Sequence, residues 1–380
     1  MIDTVIWRRL YMMMIGIVAL FSGFMGCDMV PAMGAPARSG SLRIVTWNVQ
    51  ALFDGDETGG EYEEYRAAAG WTGEKYTARL VMLSQAIDQL AEDSPDILAL
   101  QEIENPRILE DLSKGKMAKQ GYQWTFFGGT PDAPLGIGVL SRFPFMETKT
   151  HALTHIKETT PRPVVEIWLR PEDVPLVLFV CHWKSKLGGD EATEPLRRAS
   201  ARIILRRIRE IGDADPRIPI IIMGDLNENH DEFYRKGAMV SALLPDDSGA
   251  AELAGLSQTD FAGPDFLILS GEKPPQAEYF DPRLPAFYSP WGRELQNGSY
   301  HYKNEWETID HFLLTGALFD QSGWDFAAAL LMDKKPFIND RGIPDAYIPR
   351  TGQGLSDHLP LMLVLTNHGG GNLPQIGNPD

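Results

Sequence analysis

Residues 218–229 read IPIIIMGDLNEN, and the reading of this stretch decides the fold. Residues 218–223 are almost all apolar and β-branched, the pattern of a strand buried on both faces. Gly224 ends the strand without a side chain, and Asp225 and Asn227 follow with Leu226 between them. Period-two alternation sends Asp225 and Asn227 to one side and Leu226 to the other. A carboxylate and an amide at the mouth of a rigid strand suit water activation and phosphate binding. The plainer reading is a strand closing in an Asx turn. Alone, the stretch favours the turn; the rest of the chain reverses that.

Outward from this strand, β-type runs alternate with helical ones. Residues 42–49 (LRIVTWNV), 96–101, 124–127, 137–140, 164–169, 176–181, 309–314 and 359–365 read as strands. Leu80, Leu83, Ile87 and Leu90 have the 3–4 spacing of a helix over residues 77–91, and Ile204, Ile208 and Ile211 the inward face of one over 195–211. On the second helix Arg198, Arg202 and Arg206 form a stripe that reads as a solvated face. Residues 261–302 and 333–354 have little periodicity, and loops that long are functional rims more often than scaffold. No repeat of 20–50 residues is present.

The chain of 380 residues allows two domains or one large α/β domain, and 43% apolar residues suffice for a sizeable core. A formal charge of −17 argues against a broad basic groove for nucleic acid, though not against engaging one or two phosphates through a bound metal. Arg8 and Arg9 precede an apolar run over residues 10–24, too short for a membrane span but right for a secretory signal. Phe24-Met25-Gly26-Cys27 resembles a bacterial lipoprotein cleavage box, although Phe24 and Met25 depart from the usual Leu and small residue. Residues 1–26 are therefore expected to be a lipoprotein-type signal peptide, with Cys27 carrying a membrane-anchoring lipid. An uncleaved anchor and plain secretion stay open. Removing Arg8 and Arg9 together with Asp3 takes the charge from −17 to −18. Residues 27–40 read as a flexible tether and 368–380 as a disordered tail. Cys181, the only other cysteine, reads as a small buried hydrophobe.

Polar groups gather at the ends of the apolar runs: Asn48 in TWN, Glu102 in LQE, His182 in HWKSK, Asp225 and Asn227 in GDLN, Asp310 in IDH, and Asp357 and His358 in SDH. Each alone has a structural explanation as a turn, a cap or a satisfied histidine. Their coincidence points to one site at the mouth of a buried sheet system. In this order, over residues 42–365, the set resembles the endonuclease/exonuclease/phosphatase superfamily, which includes deoxyribonuclease I, exonuclease III, sphingomyelinases and inositol polyphosphate 5-phosphatases.

The resemblance implies a four-layer α/β/β/α sandwich over residues 41–367, as a single domain, since motifs at both ends must meet. It implies Glu102 as the principal Mg²⁺ or Mn²⁺ ligand, with Asn48 and Asp357 completing or assisting the metal shell. Asp225 would orient or deprotonate the attacking water, and Asn227 would hold a phosphate oxygen. Asp310 would orient His358, and His182 would contact the phosphate or assist the leaving oxygen. Arg162 matches either a phosphate-contacting arginine of the family or an ordinary loop residue.

HWKSK stands where the exonuclease III branch has an Asn-x-Tyr-x-Pro-Asn pattern, and GSYHYKNEWETIDHFLL lacks the Asp-Arg pair of the 5-phosphatases. Both stretches are similar to secreted bacterial nuclease-like and phosphodiesterase-like members. The expected function is a monomeric, metal-dependent phosphodiesterase or nuclease acting on nucleic acid or a small phosphodiester. The alternatives are a phosphatase or sphingomyelinase-type hydrolase of lipid or inositol phosphates, and a non-catalytic surface lipoprotein. The intact set of acids and histidines counts against the last. Phe287, Tyr288, Trp291, Tyr300, Tyr302 and Trp306 mark the expected rim as aromatic-rich. They read either as stacking groups or as loop packing.

Overall fold

The computed structural model describes residues 40–92, 94–131, 133–153, 162–246, 267–270 and 286–369. The expected export signal, Cys27, the expected tether up to residue 39 and the expected tail from residue 370 lie outside the described residues. In chain order the strands are β1 (Ser41–Leu52), β2 (Ile97–Ile103), β3 (Trp124–Gly128), β4 (Gly136–Ser141), β5 (Phe145–His151), β6 (Val164–Leu169), β7 (Leu176–His182) and β8 (Ile220–Asp225). There follow β9 (Leu243–Pro245), β10 (Leu267–Ser270), β11 (Ala286–Tyr288), β12 (Tyr300–Tyr302), β13 (Glu305–Glu307), β14 (Asp310–Leu314), β15 (Trp324–Leu331) and β16 (Leu361–Asn367). The two long helices are α1 (Gly73–Ile87) and α2 (Asp190–Ala214).

The strands form a six-stranded sheet, in the order β15-β16-β1-β2-β4-β3, and an eight-stranded one, β5-β6-β7-β8-β14-β11-β10-β9. A separate hairpin joins β12 and β13. Period-two alternation sorts the side chains into three cores. Val45, Trp47 and Val49 of β1 face outward against Tyr76, Leu80 and Leu83 of α1. Leu42 and Ile44 face the other way and meet Leu178, Val180, Ile221 and Met223 between the sheets. Phe179, Cys181, Ile220 and Ile222 pack on Ala201, Ile204 and Leu205 of α2. Helix, sheet, sheet and helix thus stack as an α/β/β/α sandwich. All described residues belong to one unit, Ala35–Asp380.

The helices begin earlier than apolar spacing alone suggests. At α1 the Thr72 side chain caps the Lys75 N–H at 3.3 Å, so the helix starts at Gly73 and ends at Ile87 rather than running over 77–91. At α2 the helix runs through Pro195 and starts at Asp190, with acidic residues in its first turn, where the helix dipole favours them. Among the described residues no helix is long and apolar enough to cross a membrane.

Candidate functional site

The inter-sheet face of each central strand ends in a polar residue. On β8, Asp225 continues the face of Ile221 and Met223; on β7, His182 continues that of Leu178 and Val180; on β14, Asp310 continues that of Phe312 and Leu314. Register places these three side by side, with His182 opposite Asp225 across the parallel pair and Asp310 opposite Asp225 across the antiparallel one. From the facing sheet, Asn48 follows Leu42, Ile44 and Thr46 on the inward face of β1. Its Nδ2 donates to Asp225 Oδ2 at 3.0 Å, joining the two sheets at the cleft mouth. Within the eight-stranded sheet Gly224 lets β8 lie close against β7: at φ +123° a Cβ there would run into the Cys181 carbonyl.

Glu102 arrives by another route. Alternation from Leu98 and Leu100 would turn it toward α1, away from the cleft. The β2 register shifts between Gln101 and Ile103, and Glu102 adopts φ +68°, so the bulge re-aims it. Its Oε1 lies 3.3 Å from Asn48 Nδ2 and 3.6 Å from His182 Nε2, and its Oε2 accepts from the Ala51 N–H at 2.6 Å. Asp357 and His358 come from the segment before β16. Gln50 Oε1 accepts from the N–H groups of Asp357, at 3.0 Å, and Tyr347, at 2.8 Å. Ser356 Oγ donates to the Asn48 carbonyl at 2.6 Å.

The two histidines sit in opposite electrostatic company. His358 Nδ1 is 2.8 Å from Asp310 Oδ2, which also accepts from Ser299 Oγ at 2.6 Å, and its Nε2 is 4.0 Å from Asp225 Oδ2. Burial works against a charged His358, but the charge and hydrogen bond of Asp310 override it. Asp357 and Asp225 add to the effect, so the imidazole titrates well above its ordinary range. His182 Nε2 is 3.5 Å from Asp225 Oδ2 yet meets the Arg162 guanidinium. Burial first, then the charges of Arg162 and His358, hold it well below the ordinary range. Arg162 can only donate, so His182 Nε2 accepts from it, while Nδ1 is buried without a partner among the described residues. Burial pushes Asp225 up to about 7, with His358 opposing and Asp310 adding.

Asp225, Asp310 and His358 bring potential ligand atoms within 4.8 Å of one another. Two of those groups already bond each other, and a protonated imidazole has no lone pair to offer an ion. This trio can pass protons better than it can chelate. Glu102 and Asp357 are the carboxylates left to face the cleft. Burial, and after it the charge of Glu102, push Asp357 above the usual range, His358 opposing. Asn48 turns its oxygen to the Gln50 N–H at 3.0 Å and its nitrogen to the Glu102 and Asp225 carboxylates. Asn227 does not continue the strand. At φ +54° it donates its N–H to Asp225 Oδ1 at 2.9 Å, an Asx turn, and its Nδ2 to the Trp183 carbonyl at 3.1 Å. The turn and the site are the same structure.

Residues 43–243 match the sequence profile of the Endonuclease/Exonuclease/phosphatase family. The chain belongs to this family. Its members are metal-dependent phosphoester hydrolases, and by that membership this chain is placed among phosphoester hydrolases. No curated protein matches the chain. Similar solved structures include truncated TDP2 of Caenorhabditis elegans, with 12% identity, TM-score 0.49, and coverage of 86% of this chain and 97% of that one. A Bacteroides thetaiotaomicron protein of the same family has 14% identity, TM-score 0.47, and coverage of 87% and 98%. The human Nocturnin catalytic domain has 18% identity, TM-score 0.45, and coverage of 86% and 94%.

Further residues brace this family site, and of these only Tyr300, one of the rim aromatics, stands out in the sequence. Gln50 fixes Asp357, and Ser299 shares Asp310 Oδ2 with His358. The Tyr300 ring lies 4.7 Å from that of His358. Arg79 of α1, fully buried, donates from Nη2 to the carbonyls of Val49, at 2.5 Å, and Gln50, at 2.6 Å. It thereby holds the end of β1 that follows Asn48. An inward Arg in a helix and a Gln after a strand look like ordinary composition until their partners are seen.

Proposed function

We propose that this family member is a metal-dependent phosphodiesterase or nuclease, cleaving by in-line attack of an activated water without a covalent enzyme intermediate. The position of Asp225 supports this reading most. Its Oδ2 lies 3.0 Å from the Asn48 amide and 4.0 Å from His358 Nε2, at a point both sheets reach. Glu102 and Asp357 would hold Mg²⁺ or Mn²⁺: hard carboxylate oxygens suit those ions, and the repulsion between the two acids is what a cation relieves. Asn48 would orient Glu102. A bound ion supplies positive charge against that developing on the phosphoryl oxygens.

Asp225 would orient the water and take its proton, its Oδ1 fixed by the Asn227 N–H. Asp310 keeps His358 charged, so the imidazolium can steady the phosphoryl group or give a proton to the leaving oxygen. Arg162, held by His182 and by the Trp183 carbonyl at 3.0 Å, would meet phosphate oxygens together with Asn227. His182 then acts through Arg162. The test is a substrate panel with and without Mg²⁺ or Mn²⁺. Bis-p-nitrophenyl phosphate and DNA or RNA should be cleaved faster than phosphate is released from inositol polyphosphates. Phosphate release with nucleic acid intact would favour the phosphatase alternative, and no hydrolysis at all the binding-protein one.

We also propose export of residues 27–380 as a monomeric lipoprotein, supported by Arg8, Arg9, the apolar run over residues 10–24, and Cys27. Residues 27–40 would be the tether and 41–367 the catalytic domain. In a bacterial host the chain should incorporate labelled fatty acid and Cys27→Ser should not. Label surviving that substitution would sink the proposal.

A further inference from the structure

The structure divides the aromatic rim into two groups. Phe287, Tyr288 and Trp291 are core residues, 1%, 0% and 5% exposed. Tyr300, Tyr302 and Trp306 belong instead to the β12–β13 hairpin beside the site. Lys303 and Asn304 form its two-residue turn, both at positive φ (46° and 68°), the geometry that suits a tight hairpin. Register pairs His301 with Trp306, and their rings meet edge-on at 5.2 Å. Trp306 packs on the core between α1 and the six-stranded sheet, which anchors the hairpin by that face. Tyr300 and Tyr302 occupy the opposite face, since strand neighbours two apart share a side.

The tyrosines continue the site outward. The Tyr300 ring is 4.7 Å from the His358 ring at 34°, and the Tyr302 ring is 6.2 Å from Tyr300 at 18°. Tyr302 is 50% exposed, and Lys303 Nζ rests 5.1 Å from its ring centre. Glu305 and Glu307 share this face across the hairpin, and Lys186 lies 3.5 Å from Glu307. Ring faces stepping outward from the imidazole, the outer pair near-parallel, invite a planar aromatic group. The flanking carboxylates repel a second phosphate and tolerate a neutral ring.

We propose that Tyr300 and Tyr302 form a stacking subsite for the nucleobase adjoining the scissile phosphate, with Lys303 as the cover that the base displaces. This rests on the phosphodiesterase reading and narrows its substrate to nucleotides. Base–aromatic stacking tolerates any sequence, because every base has a π-face. The subsite therefore gives base dependence without base identity.

The test compares a thymidine dinucleotide with its two analogues in which one base is replaced by an abasic tetrahydrofuran residue, with Mg²⁺ present. The wild type should show a KM for one abasic analogue higher by roughly five- to a hundredfold, the range that stacking supplies. Tyr302→Ala should bring that ratio toward one, and Tyr302→Phe should keep it. A second arm needs no turnover. Deoxyadenosine monophosphate, titrated with EDTA present, should quench intrinsic fluorescence saturably in the wild type and in Tyr302→Phe but not in Tyr302→Ala. Nucleotide binding without hydrolysis of any phosphodiester would overturn the hydrolase reading and keep the subsite. Hydrolysis without base discrimination or nucleotide binding would overturn the subsite alone. So would Tyr302-dependent binding to phosphatidylcholine vesicles in place of nucleotide, which would make the hairpin a lipid-facing element.

Discussion

Asp225, Asp310 and His182 rise at one level from three neighbouring strands of the eight-stranded sheet, whereas across the cleft Glu102 sits on a left-handed bulge and Asp357 in a loop segment. The first half is a ladder: each side chain continues a core face, is buried, and has partners in fixed register. The second half is assembled by braces, with Gln50 holding Asp357 and the Ala51 N–H holding Glu102. On the proposed roles, the contrast follows what each half would be asked to do. Proton exchange needs donor and acceptor at fixed separation, which a hydrogen-bonded sheet supplies. Groups that meet an ion and an incoming phosphate need access to water, and Glu102 keeps 20% of its side chain exposed.

The largest effect is expected on the braced side. Glu102→Gln swaps a charged oxygen ligand for a neutral amide and should bring turnover to background while the melting midpoint stays near that of the wild type. Metal-dependent activity surviving in that variant would move the ion to the ladder side and break the contrast. Next come Asp225→Asn and His358→Ala, each expected to cost turnover roughly 10²–10⁴-fold, as general acid–base groups do. Asp310→Asn combined with His358→Ala should cost much less than the product of the single losses, because Asp310 works through His358. Multiplicative losses would show that the ladder is a set of independent groups.

Smaller effects probe the braces. Gln50→Ala should weaken Mg²⁺ activation about 10–100-fold, the range for groups that orient metal ligands, with the maximal rate at saturating metal less affected. A loss of rate with unchanged metal dependence would place Asp357 outside the ion's shell. The smallest expected change is a shift in the pH profile. Activity should rise as Asp225 ionises, about pH 7 before metal and substrate act on it, and fall at higher pH as His358 loses its proton. Asp310→Asn removes the anion that raises both groups, so both limbs should move to lower pH. An alkaline limb that stays in place would detach it from His358. The two limbs belong to a coupled pair, so each reports the pair rather than one residue.

Much of this architecture is legible as alternating apolar runs. Residues 164–169 read as a strand and are β6, and the runs at 42–49 and 176–181 are the bodies of β1 and β7. Two long strands escape that reading for physical reasons. β5, FMETKTH, is an edge strand with exposed polar positions, and β15, WDFAAALL, is too rich in alanine to look β-like. The residues gathered at the site can be found because each stands beside a buried strand. Geometry then supplies what residue type cannot: the orientation of the Asn48 amide, and the partnership of His182 with Arg162, 20 positions away. Tyr300 lies in a stretch without periodicity and Gln50 just past the readable run of β1, where only the folded chain reveals their neighbours.

The inward face that runs from core to site also governs how this chain can change its length. A residue inserted in β8 between Ile220 and Met223 would exchange its two faces, turning Asp225 toward α2 and presenting Gly224 or Leu226 to the cleft. The same holds at β1, β7 and β14, so these strands should tolerate replacement at single positions far better than insertion or deletion. At β2 the reverse applies. Against β4 the bulge at Glu102 has the form of an insertion the sheet has already absorbed, and it turns a helix-facing position into one that faces the cleft. Removing that extra residue would restore a regular pairing with β4 and take the carboxylate out of the site. A better sheet would be a worse enzyme.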